Sequence, residues 1–266
     1  MGVLDLFRLD DRVAVVTGAG RGLGRAMAHG LAEAGAHVVI ADLLEENARK
    51  VSAEIETLGR KSMALNVDIS TPEGAQHMAD EVQQEFGRID ILVNSAGVVA
   101  RPQWEGGDSS IPTELIAPEN WEHVIRVNLI GTFLCAQAVG KIMIRQKRGN
   151  IINIASMSGF VANLGRHNNP YCASKGGVVM FTKQLAGDWA DYGIRVNAIG
   201  PGYMRTEMGA GPLNDPKTKD LIKVLTPMRR PGEPEELKGL AVFLASDASS
   251  FLTGQTVVID GGYTCW

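Results

Sequence analysis

Two hydrophobic patterns alternate along the chain. Short apolar runs rich in β-branched residues, each stopped by Gly, Asp or Asn, read as buried strands. They cover Val13–Thr17, 36–41, 61–67, 89–93, 150–155, 194–199 and Thr256–Ile259. Between them lie longer stretches with helical periodicity: from the glycines after Thr17 through Ala34, then 45–58, 71–86, 121–146, 171–192 and 233–245. Thr71-Pro72-Glu73 opens its helix with proline in the first turn, where a missing N–H costs little. Strand and helix in strict alternation imply parallel βαβ units with right-handed connections. The expected fold is α/β, a doubly wound parallel sheet in one Rossmann-type domain over residues 1–266, without linker or repeat. Two stretches break the rhythm. Residues 98–120, with Pro102, Gly106, Gly107, Pro112 and Pro118, read as a long loop, and 201–231 as an irregular, mobile segment.

Candidate chemistry sits where strands end. After the first strand comes Thr17-Gly18-Ala19-Gly20-Arg21-Gly22-Leu23-Gly24, then a helix. Glycines allow a tight turn and close approach of a pyrophosphate, and the helix N-terminus offers unpaired N–H groups. Asp42 ends the second strand, where an acid accepts ribose hydroxyls and repels a 2′-phosphate, favouring NAD over NADP. Arg21 argues mildly the other way. Asp68 and Asn94 fall at further strand ends, though either residue type also forms turns.

Tyr171 and Lys175 are one helical turn apart, so both side chains share a face. A phenol titrates near ~10, too high for acid–base work at neutral pH, and a nearby ammonium lowers that value. Ser156, just past the fifth strand, is placed to bond a substrate oxygen beside the phenol. Ser158 and Asn163 follow in the same loop and are candidates for substrate hydroxyls, with Tyr203 as the opposite wall.

Composition narrows the class. The chain has 266 residues, 45% hydrophobic, with net charge −4 and no basic block, so nucleic acid is not an expected partner. No apolar run is expected to approach a membrane span of ~20 residues. The first residues lack an apolar signal core. Cys135, Cys172 and Cys265 are an odd set without metal-ligand spacing, which reads as reduced thiols in a cytoplasmic protein. No metal is expected, and His29, His37, His77, His123 and His167 show no ligand spacing.

From about Leu9 onward the chain resembles the classical short-chain dehydrogenases/reductases. Thr17 to Gly24 is similar to the family's coenzyme loop. Asn94-Ser95-Ala96-Gly97 is similar to its Asn-Asn-Ala-Gly, with Ser95 replacing an asparagine. Asn128, Ser156, Tyr171 and Lys175 match its catalytic tetrad. Pro201-Gly202 with Thr206, and Asp260-Gly261-Gly262, match its later motifs. The family's serine-to-tyrosine spacing points to Ser158, but Ser156 follows the strand directly and is preferred.

The resemblance implies hydride transfer between a nicotinamide and a carbinol carbon. Tyr171 would be the acid/base, Ser156 would fix the substrate oxygen, Lys175 would tune Tyr171 and bind ribose, and Asn128 would hold a relay water. Gly18, Arg21, Gly22, Leu23, Gly24, Asp42, Asp68, Ile69, Asn94, Ala96 and Gly97 would contact NAD. So would Tyr171, Lys175, Pro201, Gly202, Met204 and Thr206. Ser156, Ser158, Asn163, Tyr171 and Tyr203 would contact substrate, with a substrate loop around 203–231. The tail Gly261-Gly262-Tyr263-Thr264-Cys265-Trp266 resembles polyol dehydrogenases, and 201–208 the sugar-acid and polyol branch. Gluconate-type dehydrogenases and 3-oxoacyl-carrier reductases are the enzyme alternatives, and a dinucleotide-sensing protein is the non-enzyme one. A homotetramer is expected, because 121–146 and 171–192 carry apolar residues on more than one face, including Phe133, Val178, Phe181 and Leu185.

Overall fold

The computed structural model describes residues 2–99, 111–164, 167–208, 213 and 216–266. Seven parallel strands form one sheet in the order β3-β2-β1-β4-β5-β6-β7. They are β1 Val13–Thr17, β2 His37–Asp42, β3 Ser62–Asn66, β4 Ile91–Asn94, β5 Gly149–Ile154, β6 Ile194–Pro201 and β7 Thr256–Ile259. The order reverses direction between β1 and β4, the place in such sheets where ligands bind beyond the strand ends. Thr17 is in register with Asn94, so the glycine loop and the 94–97 segment leave the sheet side by side.

The helices are α1 Gly22–Glu33, α2 Glu45–Thr57, α3 Pro72–Phe86, α4 Pro118–Ile125, α5 Gly131–Gln146, α6 Asn169–Trp189, α7 Pro216–Leu225 and α8 Lys238–Ala245. They cover both faces of the sheet, which is why the strands are apolar without alternation. Val13 and Val15 point to a layer with α3, α5 and α6, where Met78, Val82, Val139 and Leu185 pack. Ala14 and Val16 point to the other layer, with Met27 and Leu31 of α1, Ile55 of α2 and Leu244 of α8. Helix α3 begins as its sequence dictates. The Thr71 hydroxyl accepts from the Gly74 N–H at 3.1 Å, Pro72 occupies the first turn, and Gly87 ends the helix at φ 72°.

Several expectations need correction. The helix assigned to 121–146 starts earlier, at Pro118, which is a first-turn proline rather than a loop residue. It also carries a π-helical turn, Arg126–Ile130, between α4 and α5. The 201–231 segment is not wholly irregular, since α7 lies within it. The run Pro118–Gln146, with mean hydropathy 1.5 over an 18-residue window, is by itself long and apolar enough to cross a membrane, contrary to the expectation that no run approaches this. That window is 61% buried inside the chain, so its apolar surface serves the core. Of the apolar residues cited for helices with more than one apolar face, Val178 and Leu185 are core residues, whereas Phe133 is exposed, as is Met180. Of the expected long loop 98–120, residues 100–110 lie outside the described residues.

Candidate active site

The glycine loop is shaped by close contacts. A Cβ on Gly18, at φ +63°, would meet the Ala96 Cα at 2.6 Å, and one on Gly24 would meet the Gly18 carbonyl oxygen at 2.3 Å. The loop therefore lies directly on the 94–97 segment. The Thr17 hydroxyl fixes that segment, accepting from the Ser95 and Ala96 N–H groups at 3.2 Å each. No side chain caps the first turn of α1. Its free N–H groups and tight glycine cradle fit the pyrophosphate of a dinucleotide. Asp42 closes the loop from the β2 side: Oδ2 accepts from the Gly20 N–H at 2.8 Å and Oδ1 from the Leu44 N–H at 2.9 Å.

The other strand ends divide into two groups. Asn94 donates to Asn153 Oδ1 at 2.9 Å, and Asn153 donates to the Thr182 hydroxyl at 2.9 Å, which ties β4 to β5 and α6. The Asn94 side-chain oxygen is buried with no hydrogen-bond partner among the described residues. Asp68 instead accepts from the Ser70 N–H at 2.9 Å, as a turn former ahead of α3. Ile69 is buried, its side chain lying where a Cβ on Gly131 would stand.

The four residues matched to the tetrad, Asn128, Ser156, Tyr171 and Lys175, converge. Ser156 begins the short turn Met157–Gly159, and its hydroxyl accepts from the Ser158 N–H at 3.1 Å and shares a hydrogen bond with Tyr171. Ser156, not Ser158, is the serine that meets the phenol. Lys175 is buried beneath, donating from Nζ to the Ile154 carbonyl at 2.6 Å, with Nζ 5.6 Å from the Tyr171 ring centroid. Asn128 stands on the π turn. Its amide donates to the Val98 carbonyl at 2.9 Å and the Ser174 hydroxyl at 3.0 Å, and its oxygen accepts from the Val98 N–H at 2.8 Å. Ser174 in turn donates to the Tyr171 carbonyl at 2.7 Å. Ser174 thus links Asn128 to Tyr171, a connection the spacing did not reveal. Gly97 lies between these groups, where a Cβ would come within 3.4 Å of Asn128 Oδ1 and 3.7 Å of Lys175 Nζ.

Burial dominates the electrostatics. It pushes the Tyr171 phenol above its ordinary value, and the Ser156 hydrogen bond pulls it down. Burial lowers Lys175 from 10.5 to about 8. The expected lowering of Tyr171 by Lys175 is therefore not what the chain alone displays. Desolvation outweighs the Ser156 hydrogen bond, and the ammonium is engaged by a backbone carbonyl.

A cavity of about 150 Å³ opens above Ser156 and Tyr171. Ser158 and Asn163 face it while hydrogen-bonding each other at 3.0 and 3.1 Å, and Asn163 Nδ2 lies 3.5 Å from Cys172 Sγ. Pro201, Gly202, Tyr203, Met204 and Thr206 form the far side, with Leu23 from the glycine loop. The Tyr203 ring meets Tyr263 edge-on at 5.8 Å, so the 260s support this wall. Gly202 in turn lies against Asp260, 2.7 Å from where its Cβ would stand. Val99, Met157, Asn168, Met208 and Leu213 also line the cavity and were not singled out from sequence. None of the described lining residues carries a charge.

The family model described as enoyl-(acyl carrier protein) reductase matches residues 18–264. D-threitol dehydrogenase of Mycolicibacterium smegmatis is 43% identical over 97% of this chain and 95% of its own length. NAD-dependent glycerol dehydrogenase of Listeria innocua is 41% identical over 97% and 96%. A gluconate 5-dehydrogenase from Burkholderia cenocepacia, solved in complex with NADP and tartrate, is 41% identical, covers 100% of both chains and superposes with a TM-score of 0.92. The chain belongs to the short-chain dehydrogenases/reductases, in the branch of polyol and sugar-acid dehydrogenases. Its reaction is the oxidoreduction of secondary alcohols and ketones with a nicotinamide dinucleotide.

Proposed function

We propose that the protein is an NAD-dependent dehydrogenase of neutral polyols or the matching hydroxy-ketones, its catalytic domain spanning residues 1–266. The observation that carries this reading is the uncharged, hydroxyl- and amide-bearing cavity over Ser156 and Tyr171. A sugar-acid carboxylate needs a cation to offset its desolvation, and the described lining supplies none. Ser158, Asn163 and Asn168 offer neutral donors and acceptors for hydroxyls near the reacting carbon.

The bound dinucleotide supplies a hydride acceptor or donor. The chain's residues do the rest. Ser156 holds the substrate oxygen beside Tyr171. Tyr171 gives its proton to that oxygen in reduction and takes it in oxidation. Lys175 and Asn128, fixed through Ile154, Val98 and Ser174, set the position of Tyr171. Gly18, Gly22 and Gly24 admit the pyrophosphate. Asp42 receives the adenosine ribose and supports NAD, although relatives use either coenzyme. Within the expected substrate loop 203–231, Tyr203, Met204, Thr206, Met208 and Leu213 form the substrate wall. Exposed Phe133 and Met180 support a homotetramer, and the reduced thiols support a cytoplasmic setting.

The test is a comparison of kcat/KM with NAD for D-threitol, glycerol, gluconate and 2-butanol. A vicinal polyol should exceed the simple alcohol by at least tenfold, since a site built to bond hydroxyls penalises their absence. Preference for gluconate would replace this reading with the sugar-acid one, which the 41% identity to a gluconate 5-dehydrogenase favours.

A further inference from the structure

The coenzyme loop and the substrate wall are joined by one ion pair. Arg21 Nη1 donates to Glu207 Oε2 at 2.6 Å. Arg21 is the cap residue of α1 and the single cation between Thr17 and Gly24. Glu207 lies between Thr206 and Met208, both of which face the cavity. The two segments also touch beside the pair, since a Cβ on Gly22 would come within 3.6 Å of the Thr206 methyl. The Arg21 and Glu207 side chains are 49% and 67% exposed. An exposed pair of this kind adds little to folding and yields readily to a competing charge.

The competing charge is defined by what lies next to Arg21. Gly20 is held by Asp42, the carboxylate that ends β2. An adenosine ribose at Asp42 would place a 2′-phosphate near the loop's cation. A phosphate offers Arg21 a better partner than a carboxylate, through bidentate charge-assisted bonds. Glu207 holds Nη1 and sets a negative charge beside the guanidinium, so a phosphate gains the whole fork and its uncompensated charge only when Glu207 lets go. We propose that Glu207 is a specificity-determining residue for the coenzyme: it sequesters Arg21, so that NADP must break the Arg21–Glu207 pair to bind, whereas NAD leaves it intact. This rests on the reading of Asp42 as the ribose-binding carboxylate.

Coenzyme fragments that lack the nicotinamide separate binding from turnover. Calorimetric titrations with ADP and 2′,5′-ADP would be made on the wild type, Glu207→Gln, Arg21→Ala and the double variant. Glu207→Gln is expected to tighten 2′,5′-ADP by up to about five-fold, the range of an exposed ion pair, with ADP unchanged. The gain should disappear in the Arg21→Ala background. An unchanged affinity ratio in Glu207→Gln, or a gain that survives without Arg21, would overturn the proposal. Failure of the underlying reading shows separately: Asp42→Ala would then leave the ratio of the two fragments as in the wild type, whatever Glu207→Gln does.

Discussion

Tyr171 and Lys175 show how far single residues determine the site. With the phenol raised by burial, Tyr171 stays protonated in the chain alone, the form the proposed reduction needs. Tyr171→Phe is expected to lower kcat by roughly 10²–10⁴ while NADH binding, followed by fluorescence, stays near wild type. Activity within a few-fold of wild type would remove Tyr171 from its assigned role.

Lys175 gives a pH prediction for stability. Its pKa falls from 10.5 to about 8 on folding, through burial. Between those values the unfolded chain binds the proton and the folded chain does not. The stability contributed by Lys175 therefore rises with pH across this window, and its penalty is fully present below about 8. The total is on the order of 3 kcal/mol. Tyr171 and Cys135, the latter raised from 9.0 to about 12 by burial, act in the opposite direction at the alkaline end. A comparison with Lys175→Met isolates the lysine. The variant's advantage in urea unfolding at pH ~7.5 should shrink by pH ~9.5, and a constant difference would mean that Lys175 titrates normally.

At this scale sequence reading was limited by what it cannot place. Residue type and spacing located Ser156, Tyr171 and Lys175, because a helix turn and a strand end have fixed geometry. They did not reveal Ser174, whose importance comes from one hydroxyl bridging Asn128 and the Tyr171 carbonyl. Nor did they show that Arg21 is paired across 186 positions with Glu207.

Elements were legible where periodicity and end signals agreed. Thr71-Pro72 and Gly87 bracket α3, and the glycines after Thr17 mark the start of α1. The π turn Arg126–Ile130 left no signal, because one extra residue in a continuous apolar helix does not disturb its composition. That turn carries Asn128 into the interior, a functional use seen for such bulges elsewhere. Helix α7 was hidden by its surroundings, since the proline and glycine around it read as loop. The junction between the glycine loop and the 94–97 segment also yields a prediction. Gly18→Ala adds a Cβ 2.6 Å from the Ala96 Cα at a left-handed φ of +63°, and backbone cannot yield as a flexible side chain can. Destabilisation of roughly 1–3 kcal/mol is expected, read as a lowered Tm, together with weaker dinucleotide binding. An unchanged Tm would show that the two segments separate freely.

In the whole molecule, the parallel sheet with a helical layer on each face followed from the βαβ alternation, because parallel strands require crossovers of one hand, whereas the order of the strands did not. Assembly did not follow, since a helix face that is apolar in sequence can serve either the chain's own core or a neighbour. Structure separates the two: Val178 and Leu185 face inward, while Phe133 and Met180 are 42% and 61% exposed, and Phe133 stacks edge-on against Phe181 at 6.2 Å. If the proposed homotetramer uses these residues, Phe133→Asp with Met180→Asp should lower its light-scattering mass without changing the circular dichroism spectrum. A wild type that is monomeric at micromolar concentration would refute the assembly.

The three methionines in the cavity wall carry a chemical vulnerability of their own. Met157 and Met204 are sheltered, and Met208 stands 46% exposed at the mouth. A thioether is an apolar, pliable surface until peroxide converts it to a sulfoxide, which is polar and chiral. Oxidation at Met208 would set a dipolar oxygen beside the substrate path and leave the sheet untouched. The first effect of mild peroxide should be a rise in KM without loss of secondary structure, reversed by methionine sulfoxide reductase. Met208→Leu should resist the same treatment, so the enzyme's affinity for its substrate would register the oxidant history of its surroundings.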